Sequence, residues 1–271
     1  MIKLYSDQIF KGILLLVVMA FGLPYSSWAE DGNDKEQECG SNGEAAYQGP
    51  FADVPADHPA ADAIWYFKDN GIIIGYPDGT FRGERTMSRY ECAMVFSRIF
   101  DSIADELEER GMDIRVTGQE QPGRFDDIEI NWVLEHWGGT TLAQQGLLSL
   151  KYTDGNFHGD DTADRLDFAV FIGRLWTRIA GKYHEVGIEI STADEGFEFP
   201  FEDITEDDYG YDEVRIVVAE GLMPGYPDGC WHPEYPVNKY DFAIILAEFW
   251  QRVVDISSGT ENEGNVTLTK E

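Results

Sequence analysis

The chain has 271 residues, room for one large domain or two or three small ones. Its 43% hydrophobic and 13% aromatic content is too high for a disordered polymer and supplies a core. Charge is the outlier: 20 Lys and Arg stand against 51 Asp and Glu, a formal net of -31. That balance argues against nonspecific binding to nucleic acid or anionic lipid, which both require a positive field, but it is compatible with a small basic pocket for one acidic group.

The first thirty residues read as a targeting signal. Lys3 and Lys11 give a positive start, residues 13–23 an apolar run, and Ser27-Trp28-Ala29 a small-x-small cleavage site. The run is shorter than the about 20 residues that a bilayer span needs. The expectation is a signal peptide over 1–29 and an exported chain from Glu30, without a membrane span after cleavage, at the cell surface, in the wall or in the periplasm. Residues 30–50 are polar and Gly-rich and read as a flexible tether. Residues 257–271 read as a disordered tail.

Between these segments one signature occurs three times. Each unit opens with Phe-x-Asp: Phe51 and Asp53, Phe125 and Asp127, Phe201 and Asp203. An aromatic-x-Asp-Gly turn follows: Tyr76-Pro77-Asp78-Gly79, Tyr152-Thr153-Asp154-Gly155 and Tyr226-Pro227-Asp228-Gly229. Beyond each turn come an aromatic (Phe81, Phe157, Trp231), a cation (Arg89, Arg165, Lys239), a carboxylate (Glu91, Asp167, Asp241) and an alanine (Ala93, Ala169, Ala243), in one register without a gap. The repeats span 51–104, 125–180 and 201–256, with acidic, Gly-bearing linkers at 105–124 and 181–200.

Each unit predicts helix, turn-rich loop, helix, and the fold class is all-α. First helices are expected over 60–69, 132–145 and 211–220, ended by Gly71, Gly146 and Gly221. Second helices begin at the N-cap residues Ser88, Asp164 and Asn238, with an acid three positions on, as in a capping box. They are apolar around most of their circumference, which places the three together as the core with first helices and loops outside. Cys92 aligns with Phe168 and Phe242 and reads as a buried thiol.

These residues resemble S-layer homology domains. Gly71-Ile72-Ile73-Ile74-Gly75-Tyr76-Pro77-Asp78-Gly79-Thr80-Phe81 is similar to that family's central motif, and Gly221-Leu222-Met223-Pro224-Gly225-Tyr226-Pro227-Asp228-Gly229 keeps most of it. The middle repeat diverges, with Lys151 where the second Gly would stand. The family's Thr-Arg-Ala-Glu is replaced by Ser88-Arg89-Tyr90-Glu91, Asp164-Arg165-Leu166-Asp167 and Asn238-Lys239-Tyr240-Asp241. The resemblance implies a pseudo-threefold prism with central helices. It also implies noncovalent binding of a cell-wall polysaccharide or peptidoglycan-linked glycan, acidic and often pyruvate-ketal-bearing, in grooves between repeats.

The cations carry a physical argument beside the resemblance. A positive charge in the first helical turn opposes the helix dipole by about 0.3–1 kcal/mol, and three repeats accept it at one position. A helix N-terminus beside a cation suits an anion, so Arg89, Arg165 and Lys239 are candidate glycan contacts, with intramolecular salt bridges as the alternative. Gly75, Asp78, Gly79 and Arg82 complete the candidate site in the first repeat, where Arg85 and Arg98 add to the positive charge. Trp231 and the other turn aromatics either stack on sugar faces or pack beneath the loop.

Catalytic and metal readings find little support. The three cysteines lack metal-site spacing, and the five histidines form no ligand pair. Residues 154–159 look like half of an EF-hand, but its twelfth position is Arg165. No cofactor and no catalytic residue are expected. A Cys39–Cys230 bridge is compatible with an oxidising compartment. The functional alternatives are an anchoring or adaptor protein that binds glycan, an interaction scaffold with degenerate motifs and a protein partner, and, distantly, a wall-active glycoside hydrolase.

Overall fold

The structure, a computed structural model, describes residues 49–116, 125, 127, 139–190, 197–258 and 266–268. The expected signal peptide, nearly all of the tether, Cys39 and half of the expected first helix of the second repeat lie outside these residues. The described elements are α1 (Ala61–Asp69), α2 (Arg89–Glu108), α3 (Gly139–Gln144), α4 (Arg165–Glu185), β1 (Ile188–Ile190), α5 (Tyr211–Ala219), α6 (Lys239–Ser258) and β2 (Val266–Leu268). The fold is all-α apart from the short β1–β2 pair.

The long helices start where the caps predict. Ser88 and Asp164 each accept from the backbone N–H three residues on, and Glu91 and Asp167 reach back to complete both capping boxes. Asn238 Oδ1 accepts from Asp241 N at 2.8 Å. Gly71, Gly146 and Gly221 take φ of 72°, 68° and 69° just past the short helices, a left-handed stop that glycine adopts without steric cost.

The three long helices meet through aromatic side chains. Phe96 of α2 stacks on Phe171 of α4 at 4.0 Å and lies 5.8 Å from Phe242 of α6, while Phe168 meets Phe242 edge-on at 5.0 Å. Cys92 is buried beside this cluster, and burial pushes its thiol well above the usual range. Each long helix also packs on the short helix of the next repeat: α2 on α3, α4 on α5, α6 on α1.

The same cyclic order governs the polar contacts. The first N–H groups of an α-helix have no partner within the helix. In α2, Arg89 N and Tyr90 N donate to Asp161 and Gly159 carbonyls of the second repeat. Arg165 N and Leu166 N donate to Tyr235 and Pro233 of the third, and Lys239 N and Tyr240 N to Arg85 and Gly83 of the first. Just before the helices, Met87 N donates to Val237 O, Val237 N to Ala163 O and Ala163 N to Met87 O, a closed ring of three buried residues. The helix starts are therefore occupied by neighbouring repeats and offer no open amides to an anion.

Side-chain size is matched at these junctions. A Cβ added to Gly83 would lie inside the ring of Tyr240, and one added to Gly159 inside that of Tyr90. At the third junction the equivalent pair is Pro233 and Leu166. Gly83→Ala is expected to destabilise the fold by about 1–3 kcal/mol through overpacking, read as a lower denaturation midpoint. Tyr240→Leu in the same chain should restore most of it.

Several segment boundaries differ from the sequence reading. α2 runs to Glu108 and α4 to Glu185, so the expected linkers 105–124 and 181–200 begin inside helices whose apolar faces, including Leu107 and Tyr183, stay buried. Ser257 and Ser258 complete α6, and residues 266–268 pair antiparallel with β1 in the register Ile188↔Leu268. The tail expected to be disordered thus carries a strand, for which its Val266-Thr267-Leu268 run has the right propensity.

Candidate functional site

Each turn is built by the aspartate that opens its repeat. Asp53 accepts from Phe81 N and Arg82 N at 2.7 Å each, Asp127 from Phe157 N and His158 N at 2.7 Å each, and Asp203 from Trp231 N and His232 N. These bonds hold Arg82, His158 and His232 at φ of 57°, 53° and 58°, a left-handed conformation uncommon outside glycine. Gly75 lies against the Phe51 ring, where a Cβ would clash, and Gly79 shapes the turn at φ 80°. Both glycines are accounted for by loop construction.

At the junction of repeats 1 and 2 the candidate Arg89 is buried, its side chain 2% exposed. It pairs with Asp167 and donates from Nε to Phe157 O at 3.0 Å and from Nη2 to Ser149 O at 2.9 Å. The rings of Phe157 and Tyr152 lie 4.7 and 5.2 Å from the guanidinium. Lys151 adds a second cation, 2.6 Å from Asp164 and 3.1 Å from Asp167. Burial lowers the Lys151 pKa, but Asp167 and Asp164 outweigh it and leave the amine above its usual range. Two cations and two acids balance, and Asp164 is answered from within the chain.

At the junction of repeats 2 and 3 Arg165 is likewise buried. Its Nε donates to Trp231 O at 3.0 Å and its Nη2 to Pro224 O at 2.7 Å, with the Tyr226 and Trp231 rings 4.9 and 4.6 Å from the guanidinium. Trp231 is fully buried and donates its indole N–H to Met223 O. Stacking of Trp231 on a sugar face is therefore excluded; the ring packs beneath its own loop, as Phe81 and Phe157 do.

The junction of repeats 3 and 1 is different. Lys239 donates to the Tyr76 hydroxyl at 2.9 Å and lies 4.3 Å from the ring. Arg82 covers the same ring at 4.0 Å, and Arg85 lies 5.8 Å from it. Arg82 and Arg85 are 49% and 46% exposed. Arg82 bonds Asp78, whose carboxyl is held at about 2 by hydrogen bonds from Thr80 and Arg82, and Arg85 pairs with Glu91. Three cations thus gather at one half-buried tyrosine against two carboxylates. Arg98, grouped with them in sequence, instead reaches Ile72 O at 3.2 Å. Of the predicted site residues, Arg82, Asp78 and Lys239 come together here; Arg89 and Arg165 sit at the other two junctions. Sequence reasoning missed Lys151 and Asp167 as a buried pair, although Lys151 for glycine and Asp164 for threonine are opposite charges departing from one motif.

The family model for the S-layer homology domain matches residues 50–93 and 200–243, leaving the middle repeat unmatched. The chain is 25% identical over 200 residues to Cell surface glycoprotein 1 of Acetivibrio thermocellus, covering 73% of this chain and 8% of that protein. It is 48% identical over 62 residues to Outer membrane protein SlpA of Deinococcus radiodurans, 23% of this chain and 5% of that one. With a Cellulosome-anchoring protein of Acetivibrio thermocellus it shares 24% identity over 204 residues, 75% of this chain and 39% of the relative. The chain therefore spans a minor part of each of these relatives. With the turn motifs, the helix starts and two matched segments in agreement, residues 50–93 and 200–243 are S-layer homology domains.

Proposed function

We propose that the chain is an exported, non-catalytic module that holds to the cell surface by binding cell-wall polysaccharide noncovalently. An acidic stretch of that glycan docks where repeat 3 meets repeat 1. The observation that carries this reading is the half-exposed pair Arg82 and Arg85 beside Lys239 and Tyr76, a local positive surface on a chain of net charge -31. Planar guanidinium groups match sugar carboxylates bidentately, which an amine does not. Relatives named for the cell surface and for anchoring support the same role. Among the described residues no helix is long and apolar enough to cross a membrane.

Cosedimentation with purified wall sacculi tests this. Arg85→Ala should reduce retention about tenfold or more, the equivalent of losing one charge-assisted hydrogen bond of about 1.5–3 kcal/mol, with helix content unchanged and with wild-type binding weakened by salt. Unchanged retention of Arg85→Ala rejects this docking site. The second reading is a scaffold that binds a protein partner instead of glycan. The burial of Arg89 and Arg165 within the fold favours it, and a folded wild-type chain that does not sediment with sacculi would support it.

A further inference from the structure

We propose that the turn of the third repeat is a binding site for a transition-metal dication of the zinc class, with Asp228, Cys230 and His232 as its three protein ligands. One ligand atom from each residue lies within 4.8 Å of the other two. In a tetrahedral zinc site, with bonds of about 2.0–2.3 Å, such atoms stand about 3.5 Å apart. All three side chains are at least partly exposed, so closing that difference falls to their rotation.

The convergence is a property of the turn, repeated in all three units. Asp78, Asp154 and Asp228 each accept from the backbone N–H two residues on, at 3.1, 3.0 and 3.0 Å. The left-handed residue two further along then curls back toward the same carboxylate. In the first repeat Arg82 bonds Asp78 at 2.8 Å and Thr80 Oγ1 at 3.2 Å. In the second, His158 Nε2 meets Asp154 at 2.7 Å, and Asn156 meets it at 3.2 Å. In the third, His232 Nε2 meets Asp228 at 2.6 Å, and the middle residue is Cys230. One backbone template therefore presents three side chains together, and in the third repeat all three are metal ligands.

The donor set selects the ion. A thiolate, an imidazole and a carboxylate suit zinc or its neighbours, whereas calcium and magnesium demand more oxygen ligands. The imidazole is already oriented: it stacks on Tyr235 at 4.0 Å with 7° between planes, and meets Tyr226 edge-on at 5.2 Å. Binding at Nε2 moves the imidazole proton to Nδ1 and releases the thiol proton to solvent, with water completing the coordination. Because Trp231 O receives Arg165 Nε, the ion would stiffen the turn against which repeat 2 is docked. The site is on a different turn from the Tyr76 junction.

Cobalt(II) titration of the exported chain, kept reduced, tests the assignment. One equivalent should bind with a thiolate-to-cobalt charge-transfer band, which zinc then abolishes. Cys230→Ser should lose the band, Asp228→Asn and His232→Gln should weaken binding at least tenfold, and Cys39→Ser should leave it unchanged. Asn156→Cys, which rebuilds the triad on the second repeat, should add a second equivalent. Absence of the band in the wild-type chain, or its persistence in Cys230→Ser, overturns the proposal.

Discussion

Arg89→Ala is expected to destabilise the protein by about 3–5 kcal/mol, because it leaves a buried acid without its principal partner. Asp167 is 6% exposed and would retain Lys151 alone as a cation at 3.1 Å. The carbonyls of Phe157 and Ser149 would lose donors at the same time. Thermal unfolding should show this as a fall of about 6–20 °C, at about 2–4 °C per kcal/mol for a fold of this size. The reading of Arg89 as a glycan contact implies a different outcome, intact helices with wall binding lost, whereas its salt-bridge alternative is the arrangement found. A variant with wild-type stability and no wall retention would restore the glycan-contact reading. A double substitution with Asp167→Ala separates the cases, since removing both buried charges should cost less than removing Arg89 alone.

Glu248→Gln should raise stability by about 3 kcal/mol at pH 8 and leave it unchanged at pH 4, since ionising this partly buried carboxylate costs about 1.4 kcal/mol for each pH unit between its unfolded and folded pKa values. Glu248 occupies the helix position held by Arg98 in the first repeat and Arg174 in the second, which donate to carbonyls of their own loops. Burial raises the Glu248 carboxyl from 4.5 to about 7. The unfolded chain ionises this group near 4.5, so the folded state is penalised as pH climbs through the interval from 4.5 to 7. Below that interval there is no penalty, and above it the penalty is complete. Denaturant midpoints of the two proteins at both pH values give the difference directly. Equal gains at pH 4 and pH 8 would place the effect in packing rather than ionisation.

The repeat architecture was legible because its signals are local. Phe-x-Asp, Asp-Gly and the N-cap with its acid each act within a few residues or within one unit, and their joint register fixed the helix starts. The core was legible for a related reason: Phe96, Phe168 and Phe242 lie on helices with no polar face wide enough to be outside. What the sequence did not reveal is that each motif cation reaches forward into the next repeat. Arg89 meets Asp167 78 positions away, and no periodicity encodes such a pairing. Lys151 read as decay of a glycine position, but with Asp164 and Asp167 it forms a neutralised cluster. Trp231 was open to stacking or packing because a turn aromatic and a buried one have the same sequence signature. The β1–β2 pair escaped because two three-residue strands, far apart in sequence, give too short an alternation to separate from loop.

The most direct test of the account compares wild type and Arg82→Ala/Arg85→Ala on sacculi that carry their secondary polymer and on sacculi stripped of it. Retention of the wild-type chain that requires the polymer, and its loss in the folded double variant, is the predicted result. Equal retention of both proteins, or wild-type binding that survives removal of the polymer, would contradict docking of an acidic glycan at the Tyr76 junction.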